Sequence, residues 1–114
     1  MSDSLFTKII KREIPADIVY EDDDIIAIHD INPQANVHIL IIPKKQIPTI
    51  NDLEQIDAEL IGKMVIVAKN IAKQNNIADR GYRLVFNCNE EAGQTVFHIH
   101  LHLLGGRIMN WPPG

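Results

Sequence analysis

The chain has 114 residues, 46% of them hydrophobic, and a formal net charge of -4 from 11 Lys and Arg against 15 Asp and Glu. That length suits one domain, 1–114, with a core that needs no metal or disulfide to hold it. The acidic balance argues against a broad nucleic-acid-binding face or a polybasic membrane anchor, and a single cysteine, Cys88, excludes an intramolecular disulfide and a two-Cys, two-His zinc site.

The first residues lack the basic start and continuous apolar run of a signal peptide, and no stretch approaches the roughly 18 apolar residues of a membrane span. The expectation is a cytoplasmic protein without membrane contact. Ser4 or Asp3 is placed to cap a short helix through Phe6, Ile9 and Ile10, closed at Glu13-Ile14-Pro15 because proline disfavours helix in the residue before it. Residues 17–21 and 24–30 are rich in Ile and Val and flank an acidic turn, which predicts a hairpin. Asp22, Asp23 and Asp24 read as a solvated turn rather than a magnesium site.

After the break at Asn32-Pro33-Gln34, residues 37–43 form a third predicted strand that ends at Pro43. From Asp57 to Asn75 the residues Leu60, Ile61, Met64, Val65, Ala68, Ile71 and Ala72 recur at spacings of three and four, the pattern of an amphipathic helix lying across a sheet. Residues 82–87 and 96–104 supply two more strands around a polar loop whose Gly93 suits a tight turn. The fold class is therefore α+β, about five strands with one long and one short helix, and the short connections favour antiparallel pairing.

His98, His100 and His102 stand at alternate positions of the last predicted strand. On a strand they project from one face while Ile99, Leu101 and Leu103 project from the other. As core residues, three imidazoles would each demand hydrogen-bond partners that aliphatic side chains do not need. As zinc ligands, two of them with His38 or Asp30 are conceivable. Yet the Cα atoms of His98 and His102 would lie roughly 13 Å apart along a strand, too far for all three to meet one ion, and no helical His-Glu-x-x-His accompanies them.

Nucleophilic catalysis at phosphorus is the third reading and the one the pattern favours. With an unperturbed pKa near 6.5, imidazole is mostly neutral at pH 7 and can attack without a separate base. One ring nitrogen must donate to a fixed acceptor, such as a backbone carbonyl, so that the other presents its lone pair. The product is a covalent P–N intermediate, a chemistry matched to substrates that themselves carry a P–N bond.

His-Ile-His-Leu-His-Leu-Leu at 98–104 matches the histidine-triad signature, in which the residues between and after the histidines are apolar. The likeness extends through FTKIIKREIPA (6–16), AIHDINPQ (27–34), HILIIPKK (38–45), NEEAGQTVFHIHLHLLGGR (89–107) and WPPG (111–114). The chain resembles the histidine-triad (HIT) superfamily, and within it a short bacterial-type member of the nucleotide-binding Hint branch. The resemblance implies a HIT-like fold whose sheet continues across a homodimer. It further implies binding of purine nucleoside monophosphates and hydrolysis of phosphoramidates such as adenosine 5'-monophosphoramidate, with no metal or cofactor.

Position by position, the resemblance makes His100 the nucleophile, sets His102 on the α-phosphate, has His98 orient the site from behind and gives His38 a supporting role. Asp30 matches the ribose-binding acid, whose carboxylate can accept from both hydroxyls. Asn87, Gly93, Gln94 and Thr95 match the loop that holds the phosphate and leaving group. Leu5, Phe6, Ile9, Ile28, Ile31 and Leu40 match the purine pocket, although periodicity alone makes them equally good core residues. Trp111 matches a tail that reaches the partner subunit's site and influences the leaving group.

Two departures stand out: Thr95 where many relatives have Ser, and Ala92 where they have Gly, and threonine is the stiffer side chain at χ1. Alternative readings are a nucleotide-sensing or partner-binding module with incidental hydrolysis, and a dinucleoside polyphosphate hydrolase, which the Hint-like tail disfavours. DNA-end deadenylation usually accompanies a zinc-finger extension that one cysteine does not supply.

Overall fold

The computed structural model describes residues 3–114. In chain order the elements are α1 (Leu5–Ile10), β1 (Ile18–Glu21), β2 (Ile25–His29), β3 (Val37–Pro43), α2 (Ala58–Gln74), β4 (Tyr82–Val85) and β5 (Leu101–Gly105), with three short 3-10 turns at Ile50–Asp52, Gln55–Asp57 and Glu90–Ala92. The strands form one sheet in the order β1-β2-β3-β5-β4, antiparallel throughout. The expected α+β class and five-stranded antiparallel sheet are what the chain forms.

β2 and β3 are almost continuously apolar because both of their faces are covered. Odd-numbered side chains, Ile25, Ala27, Ile39, Ile41, Leu101 and Leu103, meet Met64, Ala68 and Ile71 of α2. Truncating a residue as enclosed as Ile71, 1% exposed, to alanine costs roughly 2–5 kcal/mol. Even-numbered Ile26, Ile28, Leu40 and Ile42 face the other way, against Phe6 and Ile9 of α1. This second face is smaller, and α1 covers only part of it, which leaves room for a site.

The acidic turn is a structural device. Asp22 accepts the backbone N–H groups of Asp24 and Ile25 and the Tyr20 hydroxyl, while Lys63 of α2 pairs with both Asp22 and Asp24. The hairpin is thus pinned to the long helix.

One predicted element needs correction. The strand expected over 96–104 begins only at Leu101, so His98 and His100 lie on an irregular approach and only His102 is in the ladder. Continuing the β3–β5 register, in which Ile41 pairs with Leu101, would put Pro43 opposite Ile99, and proline has no N–H to offer the ladder. The Ile99 N–H bonds instead to the Ile47 carbonyl at 2.8 Å. β4 ends at Val85, opposite His102.

Candidate active site

The site lies on the even-numbered face, where β2, β3 and β5 bring Ile28, His38, Leu40 and His102 together. Leu40 and His102 are register partners. Asp30 follows β2 and is held beside β3 by its N–H to the His38 carbonyl, 3.0 Å. α1 lies over this face, and its Phe6 ring stands edge-on to His100 at a centroid distance of 4.9 Å.

The four histidines have distinct hydrogen-bond assignments. His98 is completely buried; its Nε2 donates to the Pro43 carbonyl at 2.7 Å, and its Nδ1 accepts from the Ser4 hydroxyl at 2.8 Å. Ser4 is also the cap of α1, its Oγ accepting the Thr7 N–H at 3.0 Å. His98 shares the α1-covered side with His100, both rings standing edge-on to Phe6, but it is enclosed there. It is a satisfied core histidine.

His100 donates from Nδ1 to the carbonyl of His98, 2.8 Å away. Its proton is thereby fixed on Nδ1, and Nε2 presents a lone pair with no protein partner among the described residues. His38, 5% exposed, accepts the Gln34 backbone N–H at Nδ1, 3.0 Å. A neutral ring that accepts at Nδ1 carries its proton on Nε2, and that proton goes to His102 Nδ1 at 2.9 Å. His102 must then hold its own proton on Nε2, a buried atom with no hydrogen-bond partner. Such an orphaned donor marks a place for an acceptor from outside the chain.

Burial disfavours the charged form of all four rings and lowers their pKa values. His102 is pushed furthest, down to about 4, by burial first and then by its neighbours His100 and His38. At neutral pH the rings are uncharged, which is the state in which the His100 lone pair is available.

In front of His100 and His102 is a cavity of about 260 Å³. Of the residues expected in the site, Leu5, Phe6, Ile9, Ile28, Asp30, Ile31, Leu40, Thr95, His100 and His102 all line it. Ile31 is fully exposed at the rim. Ile14, Pro15, Ala16 and Val96 also form its walls and were not foreseen. His38, His98, Asn87, Gly93, Gln94 and Trp111 are not in the wall. Gly93 takes φ +88° at the turn. Gln94 is buried, its amide donating to the Pro48 and Val96 carbonyls and accepting from the Asn89 N–H. Gln94 therefore braces the loop from inside, and Thr95 is the loop residue left facing the cavity. Trp111 is 83% exposed.

Asp30, His38 and His102 have ligand-type atoms within 4.8 Å of one another, so a metal site must be tested on its protons. His38 Nε2 and His102 Nδ1, the nitrogens of the two rings that face each other, already share an N–H···N bond. Freeing His38 Nε2 would move its proton to Nδ1, against the N–H of Gln34. The donor set fits a hydrogen-bond relay and does not fit a resident ion.

Sequence reasoning missed Ser4 as a partner of His98, the Gln34 N–H and the Pro43 carbonyl. Ser4 was legible as a cap; the other two are backbone groups, which no residue identity announces.

A family model of the HIT domain matches residues 11–109. The chain belongs to the HIT family. It is 55% identical over 105 residues to the purine nucleoside phosphoramidase of Escherichia coli K12, covering 92% of this chain and 88% of that one. An uncharacterised HIT-like protein of Synechocystis is 54% identical over 112 residues, 98% of this chain and 97% of the other. Among solved structures, a HIT family hydrolase from Legionella pneumophila superposes with a TM-score of 0.96 at 56% identity, covering 98% of this chain and all of that one. The HIT signature is thus carried by the buried His98, the carbonyl-bonded His100 and the relay-held His102.

Proposed function

We propose that this HIT protein is a purine nucleoside phosphoramidase that cleaves the P–N bond of substrates such as adenosine 5'-monophosphoramidate. The observation that carries this reading is the His100 ring: Nδ1 is anchored on the His98 carbonyl, and the free Nε2 belongs to a ring lining the same cavity as Asp30. The activity named for the Escherichia coli relative supports the same assignment.

The purine sits among Leu5, Phe6, Ile9, Ile28 and Leu40, with Asp30 accepting from the ribose hydroxyls. The His100 Nε2 lone pair forms a bond to the α-phosphorus as the bond from phosphorus to the amine breaks. The departing nitrogen takes a proton from the Thr95 hydroxyl and leaves as the free amine. Phosphoryl oxygen charge is met by the orphaned Nε2–H of His102, a preorganised donor of the oxyanion-hole kind. The His98 carbonyl steadies the positive charge of the nucleotidylated ring. Water then attacks phosphorus, restores the Thr95 proton and the neutral His100, and releases the nucleoside monophosphate. No metal or cofactor takes part.

The protein is further assigned as a cytoplasmic homodimer in which the sheets join at β4. In support, β4 ends the strand order, with an unpaired edge available to a second copy, and Trp111 lies open to solvent for a partner's site.

The test is single-turnover hydrolysis of adenosine 5'-monophosphoramidate with acid quench and intact-mass analysis. Wild-type protein is expected to show a transient adenylylated species, and His100→Asn is expected to bind AMP while forming no adduct and no product. Turnover by His100→Asn overturns the assignment.

A further inference from the structure

The relay that leaves a proton on His102 Nε2 does not begin at a histidine. It begins at the backbone N–H of Gln34, in the loop between β2 and β3, and that loop is held from outside. Arg107 donates from Nε to the Gln34 carbonyl at 3.0 Å and from Nη1 to the Ile108 carbonyl at 3.1 Å. Asn36 Nδ2 adds a bond to the Gly106 carbonyl at 2.8 Å. Arg107 makes no ion pair among the described residues, so its guanidinium charge is directed at these two carbonyls.

We propose that Arg107 is a positioning residue for the phosphoryl-transfer site: by holding the backbone of Gln34 between the tail and His38, it biases the tautomer of His38 and, through it, the proton on His102 Nε2. This inference rests on the phosphoramidase reading for its rate consequence and on the hydrogen-bond chain alone for its structural one. The planar fork suits the task, because two donors of one rigid group hold two carbonyls in a fixed relation. Releasing the Gln34 carbonyl removes an outside restraint on the backbone of this residue, whose N–H lies on the preceding peptide. As that N–H drifts from Nδ1, only the Asp30 carboxylate, 3.5 Å from His38 Nε2, still favours the Nε2–H form, and His38 carries its proton on Nδ1 part of the time. His102 Nδ1 then loses its donor, and the His102 proton is no longer confined to Nε2.

The residue is exposed and does not line the nucleotide cavity, so Arg107→Met should fold. Two-bond 1H–15N spectra of the imidazoles, recorded without substrate at pH 7.5, read the tautomers directly. Wild type should show His38 and His102 as single Nε2–H forms; Arg107→Met should show mixed forms for both, with His98 and His100 unchanged. The same variant should lose roughly tenfold in kcat on adenosine 5'-monophosphoramidate, the size expected for misplacing one oxyanion-type donor only part of the time, while Kd for AMP stays within about twofold. Arg107→Lys, with one donor in place of the fork, should fall between the two.

Unchanged tautomers in Arg107→Met overturn the proposal, as does a weakened AMP affinity with kcat intact, which is the mark of general loop loosening. If the tautomers shift but wild type itself does not hydrolyse phosphoramidates, the clamp stands and the activity assignment falls. If His100→Asn is inactive and Arg107→Met matches wild type in both measurements, the activity stands and the clamp falls.

Discussion

Acid should destabilise this fold through His102, by an amount the structure bounds. The ring is held down to about 4 against an ordinary value of 6.5, so between those two pH values the unfolded chain binds a proton that the folded chain refuses. Stability is complete above about pH 6.5 and falls with pH until the folded ring itself titrates near 4. A gap of about 2.5 pH units at 1.36 kcal/mol each sets a ceiling of about 3 kcal/mol, and partial solvent access to the ring reduces this to about 2. Urea denaturation of wild type and His102→Asn at one protein concentration, from pH 7.5 to 4.5, measures it. Wild type should lose about 2 kcal/mol more than the variant over that range. Parallel curves would show that His102 is not a neutral buried ring, and the reasoning on relay protons would fail with it.

Four further outcomes are expected. Ser4→Ala removes both the α1 cap and the donor to His98 Nδ1 and should cost about 2 kcal/mol, a fall of about 8 °C in melting temperature; a change under about 2 °C contradicts the double role. Asp30→Asn should raise KM for the ribonucleotide substrate roughly tenfold, the scale of one charged hydrogen bond, and barely affect the 2'-deoxy analogue. Equal effects on both would remove Asp30 from the ribose. Thr95→Ala should lower kcat about tenfold on substrates with strongly basic leaving amines, with AMP affinity retained, and unaltered turnover would deny its hydroxyl a part in proton transfer. Deleting residues 110–114 should change the ranking of leaving amines in a substrate panel while the melting temperature holds; an identical ranking would leave Trp111 without a role.

The fold was legible where pattern and burial coincide. The run Val37–Pro43 forms a strand with the predicted bounds, and the three-and-four spacing before Asn75 forms α2, because both elements bury apolar stripes that periodicity exposes. The last strand was not fully legible. Alternation in Phe97–Leu104 looks the same whether it comes from a ladder or from an extended segment packed between layers, and the decisive fact, a proline opposite Ile99, lies more than fifty residues earlier in the chain. The cavity walls from Leu5, Phe6, Ile9, Ile28 and Leu40 were named through resemblance, while their spacing alone fits core and pocket equally. The hydrogen bonds that assign the ring protons were invisible, since the Gln34 N–H, the Pro43 carbonyl and the His98 carbonyl belong to the backbone.

Those backbone groups explain why the site uses neutral rings. A chain of neutral imidazoles has a direction: each ring donates once and accepts once, so fixing either end fixes every proton between. Gln34 fixes one end by donating to His38, which leaves the last N–H, on His102, without an acceptor in the protein. His100 is fixed separately and with the opposite sense, its proton held by the His98 carbonyl and its lone pair left free. The two rings stand 4.9 Å apart, centroid to centroid, so a lone pair and a donor are presented side by side. Attack at phosphorus needs that pair, one atom to bond the phosphorus and one proton for the oxygen that gathers charge. Protonating His102 would set its Nδ1–H against the Nε2–H of His38, which Gln34 prevents from reversing. The depressed pKa of His102 is thus a condition for the relay to keep its direction.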